Sequence, residues 1–263
     1  MDLGLNGKIA LVTAASKGLG RGCAEKLAAE GCQVALCARD GETASQTAQQ
    51  IMHQTSSMTV GFGADVSRKE DVDQLLENVR NELGNPDILI TNAGGPPPGT
   101  FASTKLEDYE RALRLNLMSA VNLIHAVVPF MKMKKWGRII AITSIAVKQP
   151  IGDLLLSNMA RTGLTGFLKT IATELADNNI TVNALLPGMH KTARVEELIK
   201  NRALVENKSI QAVTEEMLGE IPARAMGEPD DFGSVAVFLA SNQARYITGQ
   251  NLLIDGGKFP GLL

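Results

Sequence analysis

Short apolar runs alternate with amphipathic stretches along almost the whole chain. Residues 8–13, 33–38, 58–63, 87–91, 138–143, 180–186 and 251–255 are short and apolar, the pattern of buried strands. Between them, helices are predicted over 18–30, 42–54, 69–83, 106–135, 158–176 and 229–240. In the first helix Leu19, Cys23 and Leu27 share a face and Gly31 is the stop. Gly84 and Pro86 bound the third, and Trp136-Gly137 end the long fourth. Residues 192–219 are charged and helical, without a strong core stripe. Alternation of strand and helix predicts a mainly parallel sheet covered on both faces. Right-handed crossovers make it doubly wound. No linker, low-complexity tract or short repeat divides the chain, so residues 1–263 are read as one α/β domain.

The formal charge of −2 gives no general electrostatic reason to bind nucleic acid or an anionic membrane. The first residues lack a basic segment followed by a long apolar run and a small-residue cleavage site, so no signal peptide is read. No stretch approaches the roughly 20 apolar residues that span a bilayer. Cys23, Cys32 and Cys37 are odd in number and form no CxxC pair. That fits small buried thiols in a reducing compartment and predicts a cytoplasmic protein. His53 and His125 fall within helices with no paired metal-ligand spacing, so both are read as structural and no metal site is expected.

Candidate chemistry begins at Thr13-Ala14-Ala15-Ser16-Lys17-Gly18-Leu19-Gly20, between the first strand and the first helix. A Gly-rich turn there brings backbone N–H groups and a helix N-terminus against a phosphate. Taken alone, its glycines also suit a plain turn. Further signals follow in order: Asp65-Val66 after the third strand, Asn92-Ala93-Gly94 ending the fourth, Asn116 in the long helix and Ser144 ending IIAITS. Asn183, Pro187-Gly188 and Thr192 come next, and then ITGQNLLIDGG at 247–257.

Together these resemble the short-chain dehydrogenase/reductase family, and its 3-oxoacyl-[acyl-carrier-protein] reductase-like members, over almost the whole chain. The first turn resembles the family's TGxxxGxG, with Ala14 in place of the first Gly, a change of one methyl group. The resemblance implies a Rossmann-type fold that binds a nicotinamide dinucleotide. It assigns to that cofactor Thr13, Ser16, Lys17, Gly18, Leu19 and Gly20, then Asp65 and Val66 by the adenine, then Asn92, Ala93, Gly94, Pro187, Gly188 and Thr192. NAD binders usually carry an acidic residue at the end of the second strand. Here that strand ends in Ala38-Arg39, and Lys17 lies in the turn. Two cations suit a 2′-phosphate, so NADP(H) is read over NAD(H). Asp40 is an opposing charge next door, and the alternative is a pair of solvated surface cations.

By resemblance, a Tyr exchanges the substrate's proton, a Lys four residues later lowers that Tyr's pKa and holds the nicotinamide ribose, a Ser orients the substrate oxygen, and an Asn supports a water-linked relay. Ser144 and Asn116 match. The Tyr and Lys do not: Ser157-Asn158-Met159-Ala160-Arg161 stands where YxxxK would, and TGLTGF at 162–167 secures the register. Tyr109 and Tyr246 lie in other elements and are read as structural. A Tyr hydroxyl starts at about pKa 10 and can be tuned by a cation. A Ser hydroxyl is far less acidic and reaches less far. Arg161 stays charged and offers a planar fork of donors. It can take the ribose contact and polarise a carbonyl, but it cannot shuttle a proton.

Three outcomes follow. His190 could be a different acid, against the favoured reading of a surface histidine; Lys148 and Asp153 are weaker candidates. The proton could come through water, with Arg161 and Ser144 steadying an oxyanion. Or redox chemistry is lost. On the substrate side, the stiff loop Gly94-Gly95-Pro96-Pro97-Pro98-Gly99 is either a pocket wall or a surface connection. Residues 192–227 stand where the family has its substrate lid; the charges of Glu196, Glu197, Lys200, Arg202, Glu206 and Lys208 are read as its solvated face. The expectation is an NADP(H)-dependent oxidoreductase acting on a small carbonyl or alcohol, with Asn116, Ser144, Ser157 and Arg161 as its catalytic set. The rival is a redox-inactive dinucleotide sensor or scaffold. A serine hydrolase is weaker, since neither serine lies in a G-x-S-x-G elbow. The resemblance also implies a homotetramer through 106–135, 158–176 and 251–255.

Overall fold

The computed structural model describes residues 2–262. Its strands are β1 (Ile9–Val12), β2 (Gln33–Ala38), β3 (Thr59–Gly63), β4 (Ile88–Thr91), β5 (Gly137–Ile142), β6 (Ile180–Pro187) and β7 (Asn251–Ile254). They form one sheet in the order β3-β2-β1-β4-β5-β6-β7. Every pairing is parallel. The helices are α1 (Gly18–Ala29), α2 (Gly41–Thr55), α3 (Lys69–Glu82), α4 (Leu106–Leu113), α5 (Ser119–Lys134), α6 (Leu155–Leu175), α7 (Ala193–Glu206), α8 (Ile210–Gly219) and α9 (Pro229–Ala240). This is the doubly wound architecture that the alternating pattern predicts.

Side chains alternate across the strands, so the central ones feed two cores. Ala10, Val12, Ile88, Ile90 and Ile140 pack with Leu27, Ile51 and Phe232. Leu11, Leu89, Ile139 and Ala141 pack with Leu75, Leu123, Leu164 and Leu168. Burial pushes the three cysteine thiols up to about 12 each, which suits their place as small core residues. Strand order reverses direction between β1 and β4. The crevice outside the carboxyl ends of those strands is where such sheets bind ligands.

Three features depart from the sequence reading. Residues 106–135 are not one regular helix: α4 and α5 are joined by a π-helical turn at Arg114–Met118. The combined helix Leu106–Lys134 is long enough, and one 18-residue window of it with mean hydropathy 1.3 is apolar enough, to cross a membrane by length and composition, where the sequence reading found no such stretch. Its Leu123, Ile124, Val127 and Met131 are spent on the core beneath it. The charged segment after β6 does have a core stripe. Val195, Ile199 and Ala203 of α7 meet Val213 and Met217 of α8, and Asn207 turns the chain between them.

Candidate functional site

At the end of β1, the Thr13 hydroxyl donates to the Asn92 carbonyl at 2.7 Å and accepts from the Asn92 N–H at 2.8 Å. This pins the first turn to the end of β4 across the switch point. Ala14 follows with φ +47°, in the left-handed region that favours glycine. The replacement of the first Gly is therefore more than a methyl group: the backbone carries strain of about 1–2 kcal/mol. Gly20 tolerates no side chain, because a Cβ there would stand 2.5 Å from the Ala14 carbonyl oxygen and 2.9 Å from Asn92 Nδ2. No side chain caps the N-terminus of α1, and no acidic residue stands in its first turn. Its free N–H groups and dipole therefore remain available to an anion. Thr192, at the start of α7, packs against this turn at Gly18. Ser16 and Leu19 are half-buried within the turn.

Lys17 and Arg39 are exposed, and neither forms an ion pair among the described residues. Asp40, the opposing charge in the sequence, is committed elsewhere. It caps α2 by accepting from Glu42 N at 3.0 Å, Thr43 N at 3.3 Å and Thr43 Oγ1 at 2.7 Å. The Thr43 hydroxyl and N–H hold its carboxyl below the usual range. Burial pushes the Asp65 carboxyl up. The Ser67 hydroxyl and N–H outweigh that with help from Arg39 and Arg68, and leave it below the usual range. Val66 is buried beside it.

The catalytic candidates converge on the ends of β4 and β5. Ser144 follows β5, and its Oγ accepts from Ala146 N at 3.1 Å. Asn116 lies in the π-helical turn, and its Nδ2 donates to the Gly94 carbonyl at 3.0 Å. Its Oδ1 is buried without a partner. Arg161 Nη1 donates to the Ile142 and Thr143 carbonyls, both at 2.9 Å, and Nη2 donates to the Ala93 carbonyl at 3.4 Å. Arg161 and Asn116 thus clamp successive carbonyls of the Ala93-Gly94 turn. Arg161 is 8 % exposed, no carboxylate pairs with it among the described residues, and burial pulls its guanidinium down to about 10. Of its five donors, Nε–H and one Nη2–H keep no acceptor among the described residues. Ser157, one turn earlier on α6, is buried and its hydroxyl makes no hydrogen bond to a described residue.

His190 is not on the surface. It is 2 % exposed, packed edge-on to Phe232 with ring centroids 5.3 Å apart. Gly227 lies against the imidazole so closely that a Cβ there would be 2.7 Å from its Cδ2. Nε2 has no partner, and Nδ1 is 3.4 Å from the Gly188 carbonyl oxygen. Burial pulls its pKa below 6.5 despite the Gly188 carbonyl and the Asp231 charge. The ring faces α9 and the end of the lid segment. There the Lys191 N–H donates to the Gly227 carbonyl at 2.9 Å, the Gly227 N–H donates to the Met189 carbonyl at 3.0 Å, and Lys191 pairs with Glu228. A buried neutral imidazole has a sign-definite consequence. Below pH 6.5 the unfolded chain takes up a proton that the native state refuses, so stability is lost as pH falls from there. Urea unfolding from about pH 8 to pH 5 is expected to show this loss. His190→Leu should flatten its slope; an unchanged slope would place the proton uptake elsewhere.

Of the weaker candidates, Asp153 is exposed and Lys148 half-buried. Tyr246 is 99 % exposed, so it holds no core together, and His53 and His125 are also exposed on their helices. The proline loop is tied to the loop before α6, with the Gly99 N–H donating to the Asp153 carbonyl at 2.7 Å. It forms one wall of a cavity of about 210 Å³, with Pro96, Ala112, Leu115 and Leu156 in the lining and the Asp108–Arg111 ion pair also bordering it. Leu115 and Leu156 are chain neighbours of Asn116 and Ser157. The sequence reading missed this cavity, the π-helical turn and the carbonyl clamp of Arg161.

Comparison with known proteins bears on this arrangement. The family described as Enoyl-(Acyl carrier protein) reductase matches residues 13–258. The chain is 35 % identical over 257 residues to the 3-oxoacyl-[acyl-carrier-protein] reductase FabG of Escherichia coli (strain K12), covering 98 % of this chain and 99 % of that one. The structure of L-sorbose reductase from Gluconobacter frateurii, complexed with NADPH and L-sorbose, superimposes with a TM-score of 0.95 at 31 % identity over 100 % of both chains. A 7α-hydroxysteroid dehydrogenase complexed with NADH gives 0.89 at 28 % identity, over 100 % of this chain and 98 % of the other.

Proposed function

The chain belongs to the short-chain dehydrogenase/reductase family, and from that premise we propose that it is an NADP(H)-dependent oxidoreductase of a small carbonyl or alcohol, similar to the 3-oxoacyl reductases but with a different proton source. The observation that carries the reading is the buried guanidinium of Arg161, bonded to the Ile142, Thr143 and Ala93 carbonyls at the ends of β4 and β5. Its three carbonyl bonds leave Nε–H and one Nη2–H without an acceptor among the described residues, donors that a strut between strand ends would not need.

The residues present fit the cofactor. The uncapped start of α1 and the side-chain-free approach at Gly20 suit a diphosphate. Lys17 and Arg39, neither paired with a carboxylate among the described residues, suit a 2′-phosphate, and Asp40 is engaged as the cap of α2. Asp65 and Val66 would border the adenine, and Asn92, Ala93, Gly94, Pro187, Gly188 and Thr192 the remainder. Bound there, a reduced nicotinamide supplies a hydride. The chain's own part is orientation and charge. Ser144 orients the substrate oxygen, and Arg161 holds the ribose and polarises that oxygen through its free donors. Asn116, with its orphaned Oδ1, supports a water-borne proton. Ser157 is shorter than Tyr and reaches less far into the site. The proposed assembly is a cytoplasmic homotetramer through α4–α5, α6 and β7, where Leu252 is exposed in the single chain.

NADPH consumption against a carbonyl panel tests the reading, beside a Ser157→Tyr/Arg161→Lys variant of verified fold and cofactor binding. Turnover by the wild type is expected. Turnover by the variant alone would favour a dinucleotide sensor, the reading that the loss of the Tyr supports.

A further inference from the structure

Just after β4 the site carries a second arginine. Arg161 holds the Ala93 carbonyl and Asn116 the Gly94 carbonyl. At the next residue, Gly95, stands the guanidinium of Arg194, which reaches there from the first turn of α7. Its Nη2 lies 3.9 Å from where a Gly95 Cβ would be. The start of the lid thus touches two walls: Thr192 packs on the dinucleotide turn at Gly18, and Arg194, two residues on, meets the proline loop. Val195 fixes this register. It is buried with Val213 and Met217 of α8, and its N–H donates to Thr192 Oγ1 at 3.4 Å.

The fork of Arg194 is uncommitted. Its carboxylate neighbour, Glu197, is 3.7 Å away, beyond hydrogen-bond reach, and is the more exposed of the two. Arg202, farther along α7, is by contrast spent on Glu206 at 2.6 Å and Glu216 at 3.1 Å. The loop that Arg194 meets is short of donors. Pro96, Pro97 and Pro98 have no N–H, and the Gly99 N–H goes to the Asp153 carbonyl. Gly95 also lines the cavity of about 210 Å³, whose own charges, Asp108 and Arg111, pair with each other. At this wall the uncommitted charge is therefore positive. Resting on the oxidoreductase reading above, we propose that Arg194 is a specificity-determining residue that binds a carboxylate of the substrate, so that the acceptor is a small oxo acid. Its carboxylate pairs with the Arg194 fork at Gly95, its carbon skeleton lies on Ala112, Leu115 and Leu156, and its carbonyl oxygen meets Ser144 and Arg161. The reaction stays a carbonyl reduction. The carbonyl carbon gains a hydride from the reduced nicotinamide, the oxygen gains a proton from water, and oxo acid, NADPH and a proton give hydroxy acid and NADP⁺. Because Arg194 rides on α7, a bound carboxylate also ties the lid to the substrate wall, which closes the site over an acid and not over its neutral analogue.

Two measurements test this, with pyruvate, acetoacetate and levulinate each set beside its carboxamide, which has the same shape without the charge. In NADPH consumption, kcat/KM for the preferred acid should exceed that of its amide by about 10–100-fold, the worth of one charged contact. Arg194→Met should remove this preference by slowing the acid and leaving the amide and NADPH affinity unchanged. Arg194→Lys should restore part of it, and Arg202→Met none of the loss. The Arg194 variants should melt as the wild type does, because the side chain is exposed and makes no hydrogen bond to a described residue. In calorimetry with NADP⁺ present, the preferred acid should bind the wild type and bind Arg194→Met about 10–100-fold more weakly. Equal use of acid and amide, or a preference indifferent to Arg194, overturns the proposal and leaves the oxidoreductase reading standing. So does a loss of NADPH affinity in Arg194→Met with the preference intact, which would assign the guanidinium to the cofactor diphosphate. Arg194-dependent binding of an acid without NADPH consumption overturns the oxidoreductase reading and keeps the carboxylate site. Neither binding nor turnover overturns both.

Discussion

Arg161→Met is expected to lower kcat for NADPH-dependent reduction by about 10²–10³-fold, the loss that follows removal of one preorganised oxyanion donor. The variant should remain folded. Methionine roughly matches the length of the arginine stem and removes the cost of burying an unpaired charge. Against that stand the lost bonds to the Ile142, Thr143 and Ala93 carbonyls. These terms oppose, so the thermal midpoint should move far less than the rate. β5 supplies its own control in Arg138, at the opposite end of the strand. Arg138 is also buried and carbonyl-bound, with bonds of 2.8 Å to Gly137 and 3.1 Å to Asn179, and its guanidinium stacks over Trp136 at 4.4 Å. That environment is a structural use of arginine, and Arg138→Met should destabilise without a specific effect on kcat. Arg161→Lys should recover only part of the lost rate, because an ammonium cannot reach three carbonyls and a substrate oxygen with a planar fork. Steady-state absorbance of NADPH and circular-dichroism melting separate the outcomes. An unchanged kcat in Arg161→Met would reduce the residue to a strut between strand ends.

The order of strands and helices was legible because burial on two faces writes itself into the sequence as short apolar runs, as in residues 87–91. The Gly-rich turn was legible because close backbone approach restricts residue type, as at Gly20. What escaped reading has a physical cause in each case. The π-helical turn at Arg114–Met118 changes which carbonyl each N–H reaches, not which residues are apolar, so hydrophobic periodicity does not register it. The core stripe of α7, Val195, Ile199 and Ala203, is spaced at four residues but ends on a small alanine and lies among many charges. His190 was favoured as a surface residue because histidine usually keeps access to water. Its burial depends on Gly227, far along the chain, leaving room for the ring. For Ala14, the cost lies in a backbone angle that residue type alone does not reveal.

Replacing Lys17 and Arg39 together with alanine is expected to weaken NADPH binding by about 10²-fold or more, with NADH binding changed only a few-fold. Hydrogen bonds to charged groups contribute about 1.5–3 kcal/mol each. Both side chains are exposed and solvent-screened, so the lower end applies. Two such contacts at that end give about 3 kcal/mol, or about 10²-fold. Screening also predicts that the wild-type preference for NADPH narrows as salt rises, while the double variant shows no such trend. Asp40 enters through its position rather than its charge alone. Its carboxylate is held by Glu42 N, Thr43 N and Thr43 Oγ1. Reaching ribose hydroxyls would cost the cap of α2, typically about 1 kcal/mol. Arg39→Asp should therefore gain NADH affinity that native Asp40 does not provide, by placing a free carboxylate at the end of β2. Fluorescence titration of both reduced cofactors decides the matter. Equal loss of NADPH and NADH would assign the two cations to the shared diphosphate, and no loss of either would make them solvated surface charges.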